Sequence, residues 1–326
     1  MLVAVHRPAG TQPPPGPPLS DPGNTVPPTS SDPSRPLLRR RALLGAAAGA
    51  LLLALVPGVR HGVTALAGQQ DDGPWLTVAT WNTCGIDAWG CTPFGDGKAK
   101  ADTLVALAEQ HGARVLLLQE ACEGDAEAAR QRLGADWHLA LQPYEQLDAT
   151  GARTPVDCGA DRGRAGYGVL AAAPLTGTTP VAAPQPATGL QRGALCTTPG
   201  HGPRICAAHL SLPPADRSDR AAELRDDQLA ALLAAAGDGA VLGGDFNARP
   251  PGPGNRDSWI WPTAYYDRVQ ECEQRTPGSP GRPGPTHDNG EKLDYLFTAL
   301  PRHGCRIVDT GASDHRALLL TVPGSL

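Results

Sequence analysis

The amino-acid sequence predicts an α/β fold in which β-sheets pack face to face with helices outside. Three observations carry this. From Trp75 onward strand and helix signals alternate, some neighbouring strands join as hairpins, and neither a repeat nor a break in composition divides residues 75–322. One domain accounts for that stretch, although 326 residues would allow two.

The elements follow in order. Trp75 to Trp81 predicts a strand, with Leu76, Val78 and an aromatic end. Lys98 to Gln110 predicts a helix with Leu104, Leu107 and Ala108 on one face, stopped at Gly112. Arg114 to Gln119 is a continuous apolar run suited to a buried central strand. Asp125 to Leu133 predicts a short helix, Gly168 to Ala173 a strand, and Leu195 to Leu210 a hairpin turning at Pro199-Gly200. Arg217 to Ala236 predicts one long helix with an Ala/Leu face, followed by a buried strand at Ala240 to Gly244. Arg249 to Arg256 and Thr276 to Gly290 are Pro/Gly-rich loops; Leu293 to Thr298, Gly304 to Val308 and Arg316 to Val322 close the chain as strands.

The beginning of the chain predicts export. Residues 1–38 are rich in Pro, Gly, Ser and Thr without apolar periodicity, the composition of a disordered segment. Residues 39–67 have the order of a secretory signal: Arg39-Arg40-Arg41, an apolar run from Ala42 to Val56, and the small-residue site Ala65-Leu66-Ala67. The arginines directly before Ala-Leu-Leu-Gly resemble a twin-arginine signal. The alternative is a membrane anchor at 42–56, but that run falls short of the roughly 20 residues that span a bilayer. Cleavage near Ala67, before a linker at 68–74, would leave a secreted protein with its catalytic domain at 75–326.

Residues 1–67 carry six Arg and two Asp, so their removal takes the formal net charge from −5 to −9. An acidic chain does not hold nucleic acid by bulk electrostatics, though a local basic cleft with a bound cation remains open to it. All eight cysteines lie beyond residue 67, and none has the C-x-x-C spacing of a zinc site. An even number behind an export signal predicts disulfides. Cys196 and Cys206 flank the hairpin turn and are expected to face each other, and Cys84–Cys91 closes a short loop. We also expect Cys122–Cys158 and Cys272–Cys305.

Polar and acidic residues recur where predicted strands end. Asn82 follows Val78-Ala79-Thr80-Trp81, Glu120 follows Leu116-Leu117-Leu118-Gln119, and His209 follows Ile205-Cys206-Ala207-Ala208. Asp245 and Asn247 follow Val241-Leu242-Gly243-Gly244, Asp294 lies in Lys292-Leu293-Asp294-Tyr295, and Asp314-His315 precede the last strand. A charged group at the end of a buried strand is costly unless paired or metal-bound. Any one of these fits a cap or turn; their recurrence at successive strand ends does not.

The segments Thr80-Trp81-Asn82, Leu118-Gln119-Glu120, Ala208-His209-Leu210, Gly244-Asp245-Phe246-Asn247, Leu293-Asp294-Tyr295 and Ser313-Asp314-His315 resemble, in order, the motif set of the endonuclease/exonuclease/phosphatase superfamily. That superfamily includes pancreatic-type deoxyribonucleases and neutral sphingomyelinases. The resemblance implies a four-layered α/β sandwich, two mixed β-sheets packed face to face with helices outside, and a metal-dependent phosphoric ester hydrolase. It implies that Glu120, helped by Asn82, holds Mg²⁺ or Mn²⁺, with Asp314 as a second metal or support residue. Asp245 and Asn247 would orient the attacking water and the phosphoryl oxygens. His315, held by Asp294, would act as base or charged phosphate ligand, His209 would protonate the leaving oxygen, and Arg192 would contact the phosphate. The implied partner is a phosphodiester, in nucleic acid or a phospholipid head group, met by a monomer with no protein partner.

The sequence departs from the family where polar and basic groups often follow Gly166: Tyr167, Ala171 and Ala172 stand there, before Pro174. His209-Leu210 replaces the Asn-containing loop of the abasic-site branch, against a role in DNA repair. The expected activity is an exported phosphodiesterase or nuclease. The first alternative is a phosphatase or sphingomyelinase-type phospholipase, for which Trp259-Ile260-Trp261 is either a membrane-docking tip or a buried aromatic plug. The second is a catalytically silent surface-binding protein, which the filled catalytic positions oppose.

Overall fold

The computed structural model describes residues 74–326. The segments read as disordered (1–38), signal (39–67) or anchor (42–56), and the linker up to residue 73, lie outside the described residues. In chain order the elements are β1 (Trp75–Asn82), α1 (Gly97–Glu109), β2 (Ala113–Cys122), α2 (Glu123–Leu133), β3 (His138–Pro143), β4 (Glu145–Leu147), β5 (Arg153–Pro155), β6 (Ala165–Ala171), β7 (Leu175–Pro180), β8 (Gly189–Gln191), β9 (Gly193–Pro199) and β10 (Ile205–His209). Then come α3 (Arg225–Ala236), β11 (Val241–Asp245), β12 (Gln270–Glu271), β13 (Asp294–Thr298), β14 (Gly304–Val308) and β15 (Ala317–Pro323).

Two six-stranded mixed sheets form, in the orders β14-β15-β1-β2-β6-β3 and β12-β13-β11-β10-β9-β7, with a small third sheet β5-β4-β8. The two-residue period of the central strands explains their packing. Leu76 and Val78 of β1 and Val115 and Leu117 of β2 meet Ile205, Ala207, Val241 and Leu296 of the other sheet in a shared core. The alternate residues Ala79, Trp81, Leu116 and Leu118 face outward, onto Leu104 and Leu107 of α1 and Ala126 and Ala129 of α2. On the far side, Leu242, Tyr295 and Phe297 pack under Leu229, Leu232 and Leu233 of α3. The predicted helix–sheet–sheet–helix layering is therefore present, and strands buried on both faces explain the continuous apolar runs.

The hairpin forms between β9 and β10 with Cys196 opposite Cys206, and these two are bonded. Cys84–Cys91, Cys122–Cys158 and Cys272–Cys305 are also bonded, and no cysteine is free. No helix among the described residues is long and apolar enough to cross a membrane.

One expectation needs correction. The helix predicted over Arg217 to Ala236 begins only at Arg225. Before it lies a single 3-10 turn, Arg220–Ala222, whose cap Asp219 accepts the Ala221 N–H. The Glu223 carboxylate accepts the Leu224 and Arg225 amides and so starts α3 afresh. The sequence pattern also misses several short edge strands, among them β7, whose exposed Leu-Thr-Gly-Thr-Thr-Pro has no apolar face to reveal it.

Candidate active site

The same alternation that builds the shared core aims polar residues into its open rim. Asn82 is in phase with Leu76 and Val78, His209 with Ile205 and Ala207, Asp245 with Val241, and Asp294 with Leu296. β1 runs parallel to β2, and β10 parallel to β11, so these strands bring their C-terminal ends to this rim. β13 runs antiparallel to β11, which sets Asp294 at its start opposite Asp245, itself opposite His209. Gly244, with φ +137°, comes so close to the Ala208 carbonyl that a Cβ would lie 1.8 Å from it, so glycine is required beside Asp245.

Glu120 is out of phase with Val115 and Leu117 and would point outward on a regular strand. A bulge between Leu118 and Ala121 inserts one extra residue, and Glu120 adopts φ +51°. Its carboxylate thereby turns to Asn82, whose Nδ2 donates to Glu120 Oε1 at 3.2 Å and to Asp245 Oδ2 at 3.0 Å. Asn82 Oδ1 accepts the Cys84 amide, which fixes the side chain as a spacer between two carboxylates.

Asp245 is the hub. Its Oδ2 lies 3.5 Å from His209 Nε2 and 3.8 Å from His315 Nε2, and its Oδ1 accepts the Asn247 amide at 2.8 Å. Asn247, at φ +49°, donates from Nδ2 to the Leu210 carbonyl. His315 Nδ1 lies 2.8 Å from Asp294 Oδ2, and the other Asp294 oxygen is buried without a hydrogen-bond partner. Ser313 holds the His315 turn, donating to the Asn82 carbonyl and accepting the His315 amide.

Burial sets the charge states. Burial would lower the His315 pKa, but Asp294, Asp245 and Asp314 outweigh it and raise the value to about 10, so His315 is a cation. Burial, then Arg192 and His315, hold His209 well below the usual histidine range, so it is neutral. Burial raises Glu120 to about 7 and raises Asp245 as well, the His315 charge opposing both shifts.

A hard divalent cation fits beside Glu120. The Glu120 carboxylate is a hard oxygen donor, the Asn82 amide would add its oxygen by turning over from the Cys84 amide, and the adjacent sulfurs of Cys84 and Cys91 are locked in a disulfide and offer no thiolate. The burial-raised Glu120 carboxylate is the group such a charge would neutralise. The residues predicted to bind metal do not all converge, however. Asn82 and Glu120 are in contact, whereas Asp314 clusters with His287 and His315, its Oδ2 lying 3.6 Å from His287 Nε2.

Arg192 sits at the joint between β8 and β9, with its guanidinium 5.7 Å from the Trp89 ring and its Nε buried without a partner. Several residues went unnoticed in the sequence. The Tyr144 hydroxyl accepts the Glu120 amide at 3.0 Å and lies 2.5 Å from His209 Nδ1. Buried Arg225 donates to the Asn247 carbonyl while paired with Glu223 and Asp257. Thr286 accepts the Leu293 and Asp294 amides through its hydroxyl. Buried Lys100 donates to the Ala312 carbonyl, just ahead of Ser313, and burial and Arg162 lower its pKa to about 8. Only Tyr144, directly after Pro143 at the end of a strand, carried a positional signal.

The profile of the Endonuclease/Exonuclease/phosphatase family matches residues 79–315, more than half of the chain. The chain belongs to this family, whose members are metal-dependent hydrolases of phosphoric esters. Among solved structures it is similar to an endonuclease/exonuclease/phosphatase from Beutenbergia cavernae DSM 12333, at 22% identity over 77% of this chain and 72% of that one, with a TM-score of 0.54. It is similar to the human nocturnin catalytic domain with bound sulfate anion, at 17% identity over 77% and 94% of the two chains, TM-score 0.56. It is also similar to D. rerio TDP2 complexed with single strand DNA product, at 15% identity over 76% and 98%, TM-score 0.53. At these identities the likeness is one of fold. No curated protein matches the chain.

Proposed function

We propose that this chain is an exported phosphodiesterase, dependent on Mg²⁺ or Mn²⁺, that cleaves nucleic acid by in-line attack of water. The observation that carries this reading is the convergence on Asp245 of Asn82, His209 and His315 from two sheets, with Glu120 joined through Asn82. Glu120 and Asn82 would hold the cation, which when bound neutralises charge developing on the phosphate. Asp245 and Asn247 orient the water, Asp245 accepting its proton. Cationic His315, held by Asp294, and Arg192 bind phosphoryl oxygens. His209 presents its Nε2 side to the leaving oxygen; the negative charge of a bound phosphate raises the proton affinity of the ring, so that the imidazolium gives its Nε2 proton to the leaving oxygen and returns to the neutral form. Asp314 supports this group together with His287.

Export is supported by the full pairing of the cysteines. Nucleic acid is favoured over lipid by the fate of Trp259-Ile260-Trp261: Ile260 and Trp261 are buried, Trp261 packs on Phe246, Tyr265 and Tyr295, and Arg220 covers Trp259. The aromatic plug, not a docking tip, is what the segment forms. The test is hydrolysis of plasmid DNA, sphingomyelin vesicles and a chromogenic diester by the purified chain with and without Mg²⁺. Metal-dependent cleavage of DNA is expected; sphingomyelin turnover without DNA cleavage assigns the lipid alternative, and no turnover of any assigns the silent binding protein.

A further inference from the structure

Among the described residues, Trp75, Trp89 and Leu212 are the exposed large apolar side chains. Trp75 begins β1, at the opposite end from Asn82, and stacks on His303. Trp89 is different. It lies in the loop that leaves β1 directly after Asn82, and its ring is 5.8 Å from that of Tyr144, whose hydroxyl meets His209. The Arg192 guanidinium lies 5.7 Å from the same ring. An indole 37% exposed therefore stands beside Arg192 and is separated from His209 by the Tyr144 ring.

The loop holds this indole in place before any substrate arrives. The Cys84–Cys91 disulfide encloses it, and Ile86 anchors it in the core. Asp87 ties it to Arg162 and, through its amide, to the Cys158 carbonyl. Gly90, at φ +88°, closes the turn behind Trp89 by donating to the Asp87 carbonyl. An aromatic ring already fixed in its binding position loses little freedom when it is covered.

The neighbours of Trp89 select what covers it. A quaternary ammonium head group beside this ring would meet the Arg192 guanidinium, 5.7 Å from the ring, and two cations so placed repel. A lipid surface needs a contiguous apolar patch, and among the described residues Trp75, Trp89 and Leu212 are the large apolar side chains that are exposed. A planar base with an attached anionic phosphate satisfies both groups at once. The base stacks on the indole, and the phosphate meets Arg192, whose buried Nε has no other partner.

We propose that Trp89 is the stacking platform for the nucleobase on the leaving-group side of the scissile phosphate, with Arg192 beside it taking the phosphate. This rests on the phosphodiesterase reading above and names the part of the substrate that the His209 side of the cleft recognises. Trp89 is thus a specificity residue: it rewards a base and is indifferent to the bond chemistry.

The test uses two short single-stranded oligonucleotides of equal length, one bearing bases and one made of abasic residues. kcat/KM is measured for each with Mg²⁺, and binding by fluorescence anisotropy in chelator. The wild-type chain is expected to prefer the base-bearing strand by roughly tenfold in both measurements. Trp89→Ala removes most of that preference, and Trp89→Phe retains most of it. A Trp89→Ala variant that weakens both strands by one factor, or keeps the preference, overturns the proposal; so does a loss seen only on sphingomyelin vesicles. Wild-type cleavage of the abasic strand shows that the phosphodiesterase reading stands whichever way Trp89 turns out, whereas failure to cleave either strand removes both.

Discussion

The Tyr144 hydroxyl lies between the Glu120 amide and His209 Nδ1, accepting from the first and positioned to donate to the second. Because its oxygen is already an acceptor for Glu120, its proton goes to Nδ1, which places the proton of neutral His209 on Nε2, the nitrogen 3.5 Å from Asp245. That arrangement points Nε2–H at the place where a leaving oxygen would sit, and a second proton taken up at Nδ1 when an anionic phosphate binds would let the ring give the first one and end neutral. His209→Ala is expected to lower kcat/KM roughly 100-fold or more on a natural diester and far less on a nitrophenyl diester, whose leaving group needs no proton. Tyr144→Phe follows the same pattern at about tenfold. Equal losses on both substrates for His209→Ala take it out of the leaving-group role.

His315 predicts a pH dependence of stability. Its pKa is raised from 6.5 to about 10 in the folded chain, so the folded state holds the proton more tightly. The resulting stabilisation is fully present below about pH 6.5 and disappears as pH rises through about 10. Lys100 contributes the opposite slope, since its lowered pKa of about 8 makes the folded chain gain relative stability as pH rises from there towards 10.5. The two separate in a comparison. Thermal melts in chelator should show His315→Gln losing less stability than wild type between pH 6.5 and 10; parallel curves contradict a charged His315.

Arg225 ties the loop after β11 to α3. It is buried, paired with Glu223 and Asp257, and donates to the carbonyl of Asn247. Arg225→Met leaves two carboxylates without their shared cation and is expected to cost about 3–5 kcal/mol in urea unfolding. At temperatures where the variant stays folded, kcat should fall more than KM changes, because Asn247 loses its support. A loss below about 1 kcal/mol shows the cluster to be solvated.

Much of the site was legible because strands have a two-residue period and end abruptly. Asn82, His209, Asp245 and Asp294 stand at the ends of apolar strands, which the sequence marks; that each continues the inward phase of its strand to one shared rim is visible only in the fold. Glu120 reaches the same rim by a bulge, which no apolar pattern announces. Tyr144, Arg225, Thr286 and His287 act through contacts between segments distant in the chain, and nothing next to them in sequence marks that. The break before α3 is hidden for a related reason: Glu223 is a good helix former, and its bonds to the Leu224 and Arg225 amides depend on where its carboxylate turns. Asp314 illustrates the converse, a residue whose position in a motif did not fix its neighbours, since it groups with His287 and not with Glu120.

The central claim is that Glu120 recruits a divalent cation to a phosphodiesterase site. Calorimetric titration of Mg²⁺ or Mn²⁺ into the chelator-stripped chain, with diester hydrolysis followed at each point, tests it. Binding and activity should rise together in the wild-type chain, and Glu120→Ala, with an unchanged circular dichroism spectrum, should weaken both by roughly 100-fold or more. Full hydrolysis in excess chelator, or a Glu120→Ala variant that binds and turns over as wild type does, contradicts the account.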